Sequence, residues 1–139
     1  MKRTRVKARG PVKDRWAAWR EQERAAVMER AQSVCEHCTF PKVALEWAHG
    51  FGRRQIVGEP LASSRFMTFA FCPICHPLFD SNQAPGRRDV LRWRAIGRLT
   101  AYLQDQGVEI GVISSEEFDP LGSARHLEAV AKEHLSRIT

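Results

Sequence analysis

The chain has 139 residues, a formal net charge of +6 and four cysteines. That length suits one compact domain with one modest core, and 43% hydrophobic with 27% charged residues is ordinary for a soluble globular protein. No apolar run approaches the roughly 20 residues of a membrane span. The basic start, MKRTRVKARGPVKDR, has no apolar core behind it, so no secretory signal and a reducing cytoplasm are expected.

Charge distribution says more than the total. Residues 1–30 hold ten Lys/Arg against four Asp/Glu, and the remaining 109 hold twelve of each. From Arg53 to Arg98 there are eight arginines and three acids, while residues 107–139 are net acidic. A basic end and a basic middle suit a polyanion such as nucleic acid. A solvated tail and an arginine-rich coding bias would give the same numbers.

In chain order, residues 1–12 read as a basic disordered arm closed by Gly10-Pro11. Residues 13–34 carry an N-terminal helix, over about Lys13 to Ser33. Trp16, Trp19, Val27 and Val34 fall near one face, as core packing or as a dimer seam. Val43–Ala48 and Phe66–Phe71 read as short strands around a Gly-rich loop. A short helix begins near Pro77 and ends before Pro85-Gly86. Residues 87–106 form a long helix stopped by Gly107. Ser114 and Glu117 resemble a capping box. A last helix, from about Ser123, carries Leu127, Val130, Ala131, His134 and Ile138 on one side.

The cysteines form two C-x-x-C pairs, Cys35/Cys38 and Cys72/Cys75, with 33 residues between them. Each pair lets two thiolates meet one ion, and together they make a tetrahedral four-cysteine zinc site. Four protein ligands leave no open coordination position, so this zinc is structural. In a reducing compartment paired cysteines hold metal more often than they form disulfides. A redox C-x-x-C would not need a duplicate. His37, inside the first pair, could replace a thiolate or stand by as an exposed residue.

His49 follows the first expected strand, and His76 follows Cys75 directly, with Asp80 four residues on and on the same helical face. The layout C-x-x-C, strand ending in His, then C-x-x-C-H leading into a helix resembles the HNH (ββα-metal) nucleases of phages and bacteria. The stretches Glu46-Trp-Ala-His-Gly-Phe-Gly-Arg-Arg54 and Cys72-Pro-Ile-Cys75-His76 carry the resemblance, which covers about residues 35–84. It makes little claim on the flanking helices; with the elements read above, an α+β, mostly helical fold is expected. A zinc-bound ββα core at 35–84 would be flanked by the N-terminal helix and by a helical region at 85–139 with two helices.

The resemblance implies a DNA endonuclease in which His49 is the general base that deprotonates the attacking water. His76 and Asp80 would ligate a catalytic Mg²⁺ or Mn²⁺, beside the structural zinc. DNA, duplex or branched, is the implied partner; a Holliday-junction specificity would call for a homodimer. Arg53 and Arg54 would grip flanking phosphates. Arg87, Arg94 and Arg98, on one face of the long helix, would extend that track; Arg88 and Arg92 lie on another. The family's usual metal ligand before the base is replaced by Ala48, with Glu46 on the same strand face. The family's Asn is also missing, leaving Ser64, Thr68 or Asn82 to orient His49. The alternative is a non-catalytic zinc-knuckle DNA-binding or adaptor protein.

Overall fold

A computed structural model describes residues 16–42, 44–52, 61–111 and 119–136. The arm at 1–12, the Ser114–Glu117 pair, Arg53 and Arg54 lie outside the described residues. The protein is α+β. Its elements run α1 (Ala17–Ala31), β1 (Glu46–His49), β2 (Thr68–Phe71), α2 (Cys75–Asp80), α3 (Pro85–Asp105) and α4 (Pro120–Ser136).

Helix α1 buries Trp19, Glu23, Val27 and Ala31, a single row at i, i+4. This differs from the expected face. Trp16 is the N-cap, edge-on to Trp19 at 5.7 Å, and Val34 lies beyond the helix in a bridge with Pro41. The helix stops because Gln32 and Ser33 both take positive φ, 48° and 63°, turning the chain into the first cysteine pair. The buried carboxylate of Glu23 accepts from Arg65 Nε (2.9 Å), from Arg65 Nη2 (2.6 Å) and from the Arg65 backbone N–H (3.1 Å). A buried charge without such partners would cost several kcal/mol, so the pair fixes the start of the β2 hairpin arm against α1.

The two strands are antiparallel, in the register Glu46↔Phe71, Trp47↔Ala70, Ala48↔Phe69 and His49↔Thr68. Both are shorter than expected, and β1 includes His49 rather than ending before it. Alternation gives the sheet two apolar faces. Ala48, Phe69 and Phe71 join the main core with Phe79, Leu91, Leu99 and Leu127. Ala70 and Trp47 meet Val27 and Ala31 of α1 on the other face.

Pro85 does not merely end a short helix. It occupies the first turn of α3, where its missing N–H costs nothing. Likewise α4 begins at Pro120, three residues before the expected start, and Asp119 Oδ1 accepts the Gly122 N–H at 2.6 Å as its cap. Its buried residues include Ala124, Leu127 and Ala131, whereas Val130 is exposed. No helix among the described residues is long and apolar enough to cross a membrane.

Gly50, directly after His49, is needed for close approach. A Cβ there would lie 2.8 Å from both Met67 O and Phe69 Cε2. Because one of these is backbone, Gly50→Ala must displace the strand end. We expect a loss of about 1–3 kcal/mol, the usual cost of overpacking, readable as a lower urea midpoint with unchanged m-value.

Candidate metal centre and the cavity beside it

Cys35, Cys38, Cys72 and Cys75 converge, their four Sγ atoms all within 4.8 Å of one another. Thiolates around a tetrahedral zinc at about 2.3 Å stand roughly 3.8 Å apart, so the quartet fits one ion with small adjustment. The first pair is held as a tight turn: the Thr39 N–H donates to Cys35 O (2.8 Å) and the Cys35 N–H to Phe40 O (3.1 Å). The second pair is tied by His76 N–H to Cys72 O (3.0 Å), and the Cys72 N–H donates to Cys35 Sγ at 3.2 Å. Cys35, Cys72 and Cys75 are buried and none of the four is in a disulfide.

The thiols themselves ask for a cation. Burial pushes Cys72 up, but hydrogen bonds from the Cys75 backbone and side chain and the Ile74 backbone outweigh it and bring it to about 7. Burial and then the Cys72 and Cys38 thiols push Cys75 up. Four sulfurs this close cannot all ionise against one another; a divalent ion is what allows it.

Thr39 is a β-branched residue at φ 66°, in the left-handed region. Thr39→Gly should relieve about 1–2 kcal/mol of that strain, partly offset by the looser unfolded chain. A higher thermal midpoint with unaltered zinc content is the expected result.

Glu36, within the first pair, gave no signal in the sequence beyond an exposed-looking charge. Its carboxylate accepts from Arg30 (2.8 and 3.2 Å) and from the Ala70 N–H (2.9 Å), with Arg98 at 3.7 Å. It therefore links the first cysteine turn to α1, β2 and α3. Arg87 donates to His37 O (3.0 Å) and Glu36 O (3.1 Å), and Arg98 donates to Phe66 O and Thr68 O while lying over the Phe69 ring. Burial, then the Arg30 charge, brings Arg98 down to about 10. Of the three arginines expected on one DNA track, Arg87 and Arg98 are thus directed onto backbone carbonyls, and Arg94 is exposed. His37 packs edge-on against Phe71, and burial followed by Arg87 lowers its pKa.

The other titratable residues stand at the two ends of the sheet, His49 opposite Thr68 at one end and Glu46, beside His76, at the cysteine end. His49 contacts Ser63 Oγ through Nε2 at 3.1 Å and Trp47 at 5.0 Å between rings. Ser63 is fully buried. Of the three residues expected to orient His49, Ser64 donates to Leu61 O and Thr68 to Ser64 O. Asn82 lies just past α2 at φ 54°, its backbone N–H on Phe79 O. The hydroxyl seen beside His49 is that of the serine one position earlier, which no spacing rule selects.

His76 stands between two carboxylates, with Glu46 Oε1 3.0 Å from Nδ1 and Asp80 Oδ2 3.2 Å from Nε2. An imidazole with both N–H groups donates to both; a neutral one donates to one and turns a lone pair on the other. With Nδ1–H on Glu46, the lone pair at Nε2 faces Asp80, and a cation between them removes the conflict. The 3.2 Å spacing is close to that of two adjacent ligands around an octahedral Mg²⁺, about 3 Å for bonds of about 2.1 Å. Glu46 approaches from the opposite ring edge, so it orients His76 rather than sharing that position. The Ala48 side chain, fully buried in the core, offers no ligand.

Asp80 also lines a cavity of about 360 Å³ with His49, Gly52, Phe79, Arg88 and Arg92. It is the residue common to the His76 contact and the His49 cavity, which His76 and Glu46 do not line. No family model, curated protein or solved structure matches the chain. What this corner can do chemically is set by its side chains: a histidine in contact with a buried serine, a histidine flanked by two carboxylates, and two guanidinium groups.

Proposed function

We propose that the protein is a zinc-stabilised ββα-metal nuclease of the HNH type, hydrolysing phosphodiester bonds in DNA. The observation that carries this reading is the opening of His49 and Asp80 onto one cavity, with Asp80 paired to His76. The β1–β2–α2 order agrees with it, as does the cysteine quartet clamping the start of α2 beside β2.

In this reading Nε2–H of His49 donates to Ser63 Oγ, and Nδ1 takes the proton from water as its oxygen bonds to phosphorus. The bond from phosphorus to the leaving sugar oxygen breaks, and that oxygen takes up a proton from solvent. His76 and Asp80 would hold the Mg²⁺ or Mn²⁺, which when bound stabilises charge developing on the phosphate and the leaving oxygen. Glu46 fixes the His76 ring, as second partners of metal-bound histidines do. The basic middle of the chain supplies attraction for DNA, duplex or branched.

One observation favours the second reading, a zinc-knuckle DNA-binding protein without hydrolysis: Ala48 leaves the metal position one protein ligand short. The two readings separate in a cleavage assay on linear duplex, single strands and four-way junctions with and without Mn²⁺. Metal-dependent strand scission is expected, and Asp80→Asn should raise the Mn²⁺ concentration for half-maximal rate by about 10–100-fold, as loss of metal-site support does. DNA binding with no scission under any divalent ion would favour the adaptor.

A further inference from the structure

We propose that Arg88 and Arg92 form the clamp that holds the scissile phosphodiester of DNA against His49. The proposal rests on the nuclease reading and adds two residues to it. They stand one turn apart on α3, so both face the same way, and both line the 360 Å³ cavity with His49 and Asp80. Asp80 is the one carboxylate among the residues lining that cavity.

Each guanidinium is oriented by an aromatic ring. Arg88 Cζ lies 5.5 Å from the centroid of Phe79, and Arg92 Cζ 4.7 Å from that of Phe51. Arg92 Nε donates to Gly50 O at 2.8 Å, the residue directly after His49, so its position is tied to that of the base. A purely structural role accounts for this much of Arg92. It does not account for Arg88, whose Nε is buried and meets no hydrogen-bond partner among the described residues. A buried donor left unsatisfied costs about 1–3 kcal/mol, and the contact of Arg88 with the Phe79 ring gives its Nε no acceptor.

Two like charges side by side in a half-enclosed space also repel. Burial first, and the Arg88 charge second, bring Arg92 down to about 10. An anion entering the cavity satisfies the Arg88 donor and relieves the repulsion together. A phosphodiester fits that need: one negative charge over two non-bridging oxygens, matched by planar guanidinium donors. Since His49 opens on the same space, the phosphorus held there is the one presented for attack.

The test uses the full chain loaded with zinc. Single-turnover cleavage of a DNA duplex is measured in Mn²⁺, and binding of the same duplex in Ca²⁺ by fluorescence anisotropy across a salt series. Arg88→Ala is expected to lower the rate about 10²-fold, as loss of one preorganised donor to a transition-state oxyanion does. It should also reduce the salt slope of binding by about one, as loss of one phosphate contact does. Arg88→Gln, which keeps the bulk over Phe79, should behave alike, and Arg92→Lys should keep the affinity but lose rate. Arg24→Gln, which removes the same charge from an exposed position on α1, should leave the rate unchanged. Zinc content and circular dichroism identify any variant that fails to fold, and the Gln and Lys variants then carry the reading. Undiminished cleavage in Arg88→Gln and Arg92→Lys and an undiminished salt slope in Arg88→Gln, with His49→Ala inactive, would overturn the clamp and leave the nuclease standing. Absence of cleavage by the unaltered protein, with DNA affinity still dependent on Arg88, would overturn the nuclease and keep a phosphate site. Absence of cleavage with affinity indifferent to Arg88 overturns both.

Discussion

Cys72→Ser is expected to abolish the cooperative thermal transition of the protein, and a strong zinc chelator should do the same to the unaltered chain. The size of the effect follows from what the metal site holds. A structural zinc contributes about 10–16 kcal/mol in small zinc domains, as much as or more than the whole stability of an ordinary domain at about 5–15 kcal/mol. Here the site also ties the end of α1, the end of β2 and the start of α2 to one point. Cys35 follows α1, while Cys72 ends the β2 side and Cys75 opens α2. The sheet has two strands of four residues each, too few to stand alone in water. Without the ion, the close-set thiols would have to reprotonate or separate, and the Cys72 N–H bond to Cys35 Sγ would go with them. Zinc analysis should give one equivalent per chain, lost in Cys72→Ser. Because Cys72 lies near 7 and zinc binding releases thiol protons, affinity should fall as pH falls below neutrality. A variant that melts cooperatively at the original temperature without zinc would contradict this account.

How much of this was legible in the sequence depends on the kind of residue. The cysteine quartet was legible because C-x-x-C is a local constraint: a turn of fixed size delivers two sulfurs wherever it occurs. The pairing of His76 with Asp80 was legible for a similar reason, since i, i+4 on a helix sets the distance. Helices α1 and α3 announced themselves by periodicity, and Trp19 and Val27 of α1 are buried as expected, whereas Trp16 and Val34 fall outside its buried row. The buried row of α1 contains Glu23, a residue type that periodicity places outside, because its partner Arg65 lies 42 positions away. The same holds for the site. Ser63 meets His49 from 14 positions away, and the tie from Arg92 to Gly50 spans 42 residues. Glu36 looks like filler between two ligands until the fold brings Arg30, Arg98 and the Ala70 N–H around it. Contacts made by tertiary packing leave no mark at any fixed spacing.

His49→Ala should remove nuclease activity while leaving zinc content, helical signal and thermal midpoint near those of the unaltered protein. A general base contributes about 10²–10⁴-fold to a rate. In a site with few other groups able to activate water, the upper part of that range is expected. The fold should tolerate the change, because the His49 side chain is only partly buried and ends a strand instead of filling the core. Ser63→Ala separates positioning from proton transfer. It removes the hydroxyl at Nε2 without touching the ring, so a smaller fall in rate with a displaced pH–rate profile is expected.

The most direct measurement is the single-turnover rate of DNA cleavage in Mn²⁺, for the unaltered chain and for His49→Ala at equal zinc content. The account predicts metal-dependent scission by the first and a rate at least about 10³-fold lower for the second. Equal cleavage by both proteins would contradict it.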